Sequence, residues 1–125
     1  MDIYEFTEML LHRTKGLAIE TIKLVSSFPF KTEYKVIGNQ LLKSATSTAA
    51  NYRAVTRARS DREFFAKLSI VIEECDETLF WIEILEESNL IEKNRLIKLK
   101  DETLELLKIF SKSRKTAKNN NPKTQ

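Results

Sequence analysis

The chain has 125 residues and a mass of 14.5 kDa, with 42% hydrophobic residues, 31% charged residues and a formal net charge of +3. That is one folded domain with room for a core, not two domains and not a disordered chain. Two glycines, two prolines, one cysteine and one histidine argue against a turn-rich all-β fold, an internal disulfide framework and most metal or acid–base chemistry.

The first helix is predicted over 3–28, where Ile3, Phe6, Leu10, Leu17, Leu24 and Phe28 keep one face. Pro29 interrupts it, and Thr32 is placed to cap the next helix. The second helix, 33–57, carries Ile37, Leu41, Ala45, Thr48, Tyr52 and Val55 on one stripe. Ser60 followed by Glu63 is a capping box ahead of Phe64 and Phe65, opening a third helix over 61–88. Its seam is Phe65, Leu68, Ile72, Cys75, Leu79 and Ile82. Asn89 tolerates the left-handed conformation that ends a helix, and Leu90 can fold back on the last turn. The fourth helix, 92–114, repeats the spacing at Leu96, Leu99, Thr103, Leu106 and Phe110. The first three helices are each roughly 37–42 Å long at about 1.5 Å per residue. Similar lengths and short connections give an all-α, antiparallel up-down four-helix bundle over 1–114. A basic polar tail, 115–125, is expected to be frayed or disordered. Gly16 and Gly38 each weaken a helix by about 1 kcal/mol without breaking it.

The apolar faces are wider than a single seam. The third helix adds Phe64, Val71, Phe80, Trp81, Ile84 and Leu85, and the first adds Met9, Leu11, Ile19, Ile22 and Val25. Such a surface is either a generous core with some exposed aromatics or a second face buried in an oligomer.

Charge is sorted by segment. Residues 31–59 carry six cations against Glu33, 60–88 carry nine acids against Arg62 and Lys67, and 108–125 carry six cations with no acid. Basic and acidic helices can pair, within a chain or between subunits. Alternatively, Arg53, Arg57, Arg59 and Arg62, clustered at a helix end and the next helix start, bind phosphates. They can equally hold Glu73, Glu74 or Asp76. Lys112, Arg114, Lys115 and Lys118, at the end of the chain, are a second nucleic-acid candidate.

Catalytic patterns are missing. A di-iron bundle needs two Glu-x-x-His pairs, and one histidine leaves only a Glu8–His12 ion pair at i, i+4. Cys75 lies on the apolar seam, and Glu73, Glu74, Asp76 and Glu77 around it would raise a thiol pKa. Phosphate-cradling loops, cysteine-pair zinc patterns and elbow serines do not occur. No metal, cofactor or small-molecule substrate is expected. The small-residue run Ser44–Ala50 reads as close helix packing, or else as hydroxyls offered to a partner. No run of about 18 apolar residues suggests a membrane span. The acidic, mixed start Met1–Glu5 is not that of a signal peptide, so a cytoplasmic protein is expected.

The string Asn51-Tyr52-Arg53-Ala54, then Arg57-Ala58-Arg59-Ser60, Glu63-Phe64, Lys67-Leu68, Glu73-Glu74, Asp76-Glu77 and Trp81 resembles the 23S rRNA intervening-sequence protein family. Asn51, Arg59-Ser60 and Glu63-Phe64 stand where that family has an Asn and an Arg-Ser-x-x-Glu-Phe run. The chain departs from the family's common Asn-Ile-Ala-Glu-Gly, having Asn51-Tyr52-Arg53-Ala54-Val55, so any role of that Glu-Gly pair is not carried over. The resemblance implies a four-helix bundle assembling as a homopentamer, with a link to rRNA. It is also similar to the accessory variability determinant of diversity-generating retroelements, which works with nucleic acid. In a ring, the basic second helix of one subunit would meet the acidic third helix of a neighbour. Asn51, Arg53, Ser60, Glu63, Asp76 and Trp81, with Arg59, would then be structural or interface residues. The reading at this point is a non-enzymatic, oligomeric RNA- or nucleoprotein-binding protein; the alternative is a protein-interaction scaffold without a nucleic-acid ligand.

Overall fold

The computed structural model describes the backbone of residues 1–120 and the side chains of residues 1–117. Four helices account for the secondary structure among these residues: α1 (Ile3–Ser26), α2 (Thr32–Val55), α3 (Asp61–Glu87) and α4 (Lys93–Asn120). They pack in the order α1, α2, α3, α4 as an antiparallel bundle. The α2–α3 pair is the most intimate and the closing α1–α4 seam the sparsest.

Local chemistry sets the boundaries. Asp2 opens α1 with a full capping box: its carboxylate accepts from the Glu5 N–H at 2.8 Å and Glu5 reaches back. At Ser60 only half of the expected box forms. The Ser60 hydroxyl accepts from the Glu63 N–H at 3.1 Å, while the Glu63 carboxylate faces Arg59 at 3.6 Å. Thr32 is the first residue of α2, not its cap. Lys31 holds that position and supplies no side-chain bond. Asn89 takes φ 60° and turns the chain after α3. Helix α4 runs on to Asn120, past the expected end near 114, because no glycine or proline interrupts it before Pro122. The rest of the predicted tail, 121–125, lies outside the described residues.

Leu10, Leu17, Leu41, Leu68, Val71, Ile82, Leu85, Leu96, Leu106 and Phe110 fill the core. The Phe110 ring stacks on Tyr52, with centroids 5.4 Å apart. Two details of the predicted stripes change. Ile3 is 79% exposed instead of buried. In α3 the innermost line is Leu68, Val71, Cys75, Thr78, Ile82 and Leu85, with Phe65, Ile72 and Leu79 half-buried beside it. A helix held between two neighbours buries a broad arc, so several spacings fit its pattern. Five buried threonines (Thr14, Thr21, Thr48, Thr78 and Thr103) each donate to the carbonyl four residues back in their own helix. The small residues of α2 let α3 approach closely: the Thr78 hydroxyl also lies 3.0 Å from that of Ser44. Gly38 sits where an added Cβ would come within 3.1 Å of the Phe28 ring and 3.2 Å of Val25, whereas a Cβ at Gly16 would meet nothing within 4 Å.

Candidate nucleic-acid interface

Helix α2 turns Ser44, Ala45 and Thr48 inward against α3. The other small residues of the same run, Thr46, Ala49 and Ala50, floor a groove of about 640 Å³ against α1. Short side chains leave this trough; Arg53, in the last turn of α2, and Arg57, in the turn just past its end, stand in its wall. The backbone bond from Arg57 N–H to the Ala54 carbonyl at 3.1 Å folds this turn back on the helix end, and both arginines line the one groove. His12 and Lys15 line the α1 side, and Glu8 is the one acid in the lining. Arg53 and Arg57 are exposed and have no ion-pair partner among the described residues.

The arginine cluster is thus divided by the structure. Arg53 and Arg57 share the groove. Arg59 stands at the α2–α3 corner, pairs with Glu63, and lines a separate hollow with Ile3, Thr7 and Ser60. Arg62 is exposed on the first turn of α3. None of the four holds Glu73, Glu74 or Asp76, so the carboxylate-pairing alternative is not realised within the chain. Those acids answer to other surroundings: burial, then Glu77, raises the Glu74 carboxyl, and Lys43 opposes the rise. The other ion pairs among the described residues join Arg13 to Glu102 and Glu105, Lys100 to Glu86, and Lys23 to Glu20.

The other predicted positions are dispersed. Lys112 and Lys115 are exposed on α4. The Arg114 guanidinium lies 5.7 Å from the Phe65 ring centroid and its Nη1 is 3.4 Å from the Ser69 hydroxyl. It is partly committed to packing α4 on α3. The Lys118 side chain lies outside the described residues. Asn51 is half-buried and Asp76 exposed. Trp81 is half-buried, its ring edge-to-face with Phe80 at 4.9 Å and its indole N–H directed at Glu77 at 3.5 Å.

The residues that sequence reasoning missed are His12 and Lys15. Nothing local connects them to Arg53, because the groove is made by α1 lying against α2. One signal was available: Thr46, Ala49/Ala50 and Arg53 follow a step of three or four along α2, with Arg57 a further step of four on, just past the helix end. The Glu8–His12 ion pair is not formed. Cys75 is fully buried with its Sγ 3.6 Å from the Thr103 carbonyl. Burial, followed by Asp76 and Glu102, pushes its thiol up to about 12, so it stays a protonated core residue. Of the four acids expected to act on it, only Asp76 does so. No group of three or more metal-ligating side chains and no helix long and apolar enough to cross a membrane occurs among the described residues.

The described residues form an all-helical bundle carrying a shallow cationic groove, with its thiol sealed in the core. The chain belongs to the 23S rRNA-intervening sequence protein family, whose sequence model matches residues 9–112. It is also similar to a crystal structure of a protein of unknown function from the S23 ribosomal protein family of Bacteroides thetaiotaomicron. The two are 26% identical, with 84% of this chain and 97% of that one covered and a TM-score of 0.78. No curated protein matches.

Proposed function

We propose that this protein is a non-enzymatic, cytoplasmic homo-oligomer that holds the backbone of RNA, free or within a ribonucleoprotein, along the α1–α2 groove. The observation that carries this reading is Arg53 and Arg57 standing unpaired beside Lys15 and His12, with Glu8 as the one acid. Guanidinium groups and ammonium groups on a small-residue floor suit phosphates, which need close approach and donors but no aromatic platform. No Phe, Tyr or Trp lines the groove, so it offers no broad stacking platform, and recognition follows backbone charge instead of sequence. The family's name and its structural relative's assignment to a ribosomal protein family lend support.

The oligomer, a pentamer by analogy with the family, is supported by the outer face of α3. There Ile70 and Phe80 are exposed beside Glu73 and Glu77, an apolar and acidic surface suited to a basic neighbour. The same face favours the second reading, in which Arg53 and Arg57 serve a neighbouring subunit and the protein is a scaffold.

Light scattering coupled to size exclusion, at low and high salt and with and without nuclease, tests both. A mass near five chains with nucleic acid co-eluting only at low salt is expected. A clean oligomer carrying no nucleic acid under any condition transfers the arginines to subunit contacts. A monomer overturns the assembly.

A further inference from the structure

The sparse α1–α4 seam holds a second concavity, of about 600 Å³, distinct from the α1–α2 groove except for His12 at their shared edge. Leu17, Leu24 and Leu99 form its floor. Gly16 borders open space here: an added Cβ would meet nothing within 4 Å. Side-chain bridges cross the seam at both ends. At one, Arg13 grips Glu102 through two bonds, Nη2 at 2.5 Å and Nε at 3.0 Å, and reaches Glu105 at 3.0 Å. At the other, Arg95 Nη2 donates to the Ser27 hydroxyl at 2.5 Å. The hollow is therefore a closed-ended trough. Between Arg95 and Glu102 it runs about 10 Å along α4. A helix from another protein, about 10 Å wide, cannot lie in it without breaking the Arg13 bridge.

Its charge is uneven. The Glu102 end is neutralised by Arg13. At the Ser27 end, Arg95 is bonded only to a neutral hydroxyl, and Lys98 has no ion-pair partner among the described residues. Lys23 and Glu20 at the rim offset one another at 3.5 Å. No Phe, Tyr or Trp lines the trough to stack a nucleobase. We infer that this trough is a binding site for a small amphiphilic anion, with a medium-length alkyl chain lying on Leu17, Leu24 and Leu99 and a carboxylate or phosphate head held by Arg95 and Lys98. The volume is in the range of small-molecule sites, which are mostly apolar with a few polar groups that fix orientation.

The test uses the full chain and three probes below their aggregation concentrations: decanoate, decyl phosphate and decanol. Binding is followed by calorimetry and by methyl NMR shifts. Decanoate or decyl phosphate should bind saturably, shifting Leu17, Leu24 and Leu99, with decanol at least tenfold weaker. Whichever anionic head binds tighter separates a fatty-acid-type from a phosphate-type ligand. The R95Q/K98Q double variant should lose at least tenfold for the anions and little for decanol. Gly16→Leu, which fills the trough from an open position, should abolish binding without lowering the melting temperature. Equal binding of decanol and decanoate, unchanged binding by Gly16→Leu, or no saturable shift would overturn the assignment.

Discussion

The groove reading makes a quantitative demand on salt dependence. Lys15, Arg53 and Arg57 line one trough, and each neutralised phosphate of a single strand contributes about 0.7 to the slope of log affinity against log salt. Three contacts give a slope share of about 2, so between 50 and 200 mM salt these side chains alone account for roughly a 20-fold loss of affinity. Replacing all three by Gln should flatten the slope by about 2. The assay is fluorescence anisotropy of a labelled single-stranded RNA across that salt range. The control removes the same charge elsewhere, at Lys31, Lys35 and Lys108, which are exposed and outside the groove. If both triple variants flatten the slope equally, net charge and not the groove is responsible, and the reasoning fails.

Three further outcomes bear on the fold. The Cys75 thiol has its ordinary value of 9.0 in the unfolded chain and about 12 in the folded one. Above pH 9 the unfolded state releases this proton first, so stability is full below pH 9 and falls as pH rises towards 12. At pH 10.5 the loss is about 2 kcal/mol, with a further contribution under about 1 kcal/mol from Tyr52, whose phenol burial pushes up to about 12. Cys75→Val should remove the larger part of the drop in urea midpoint between pH 8.5 and 10.5; an identical drop in the variant contradicts the assignment. Gly16→Ala should stabilise by about 0.5–1 kcal/mol, and Gly38→Ala by less or not at all, since its methyl would press on Phe28 and Val25. Equal gains in urea melts would show that this contact yields freely. Phe110→Ala, which empties a fully buried site against Tyr52, should cost about 3–5 kcal/mol in the same assay.

Helix count and sequence order were legible because each segment repeats apolar residues at steps of three and four over more than 20 residues, and Pro29 and Asn89 mark two of the breaks. The α4 seam at Leu96, Leu99, Thr103, Leu106 and Phe110 is buried throughout. The inner line of α3 was not, because Phe64, Val71, Ile84 and Leu85 are apolar too and only its neighbours decide which point inward. Asp2–Glu5 was overlooked as a cap because Ile3 and Phe6 drew the start of the helix to apolar residues. The basic site was half legible. Arg53 and Arg57 stood out by their spacing, but Arg59 and Arg114 also looked free, and their partners Glu63 and Phe65 are settled by side-chain geometry. His12 and Lys15 enter only through tertiary packing, which no local pattern encodes.

The self-bonded threonines carry a consequence for how the bundle breathes. Thr14 and Thr21 satisfy their hydroxyls inside α1, so they pin that helix to nothing else. By contrast, α2, α3 and α4 are tied to one another by Ser44–Thr78, by Tyr34 to the Leu90 carbonyl and by Lys100–Glu86. Among the described residues, α1 makes cross-helix polar contacts through Arg13 to α4, through Thr7 to the Tyr52 hydroxyl of α2, and through Ser27, just past its end, to Arg95. Amide exchange should therefore divide the molecule, with α1 opening as its own unit at lower free energy than the remaining three helices. Since α1 walls both the cationic groove and the α1–α4 trough, a ligand in either would register as slower exchange along the whole of that helix.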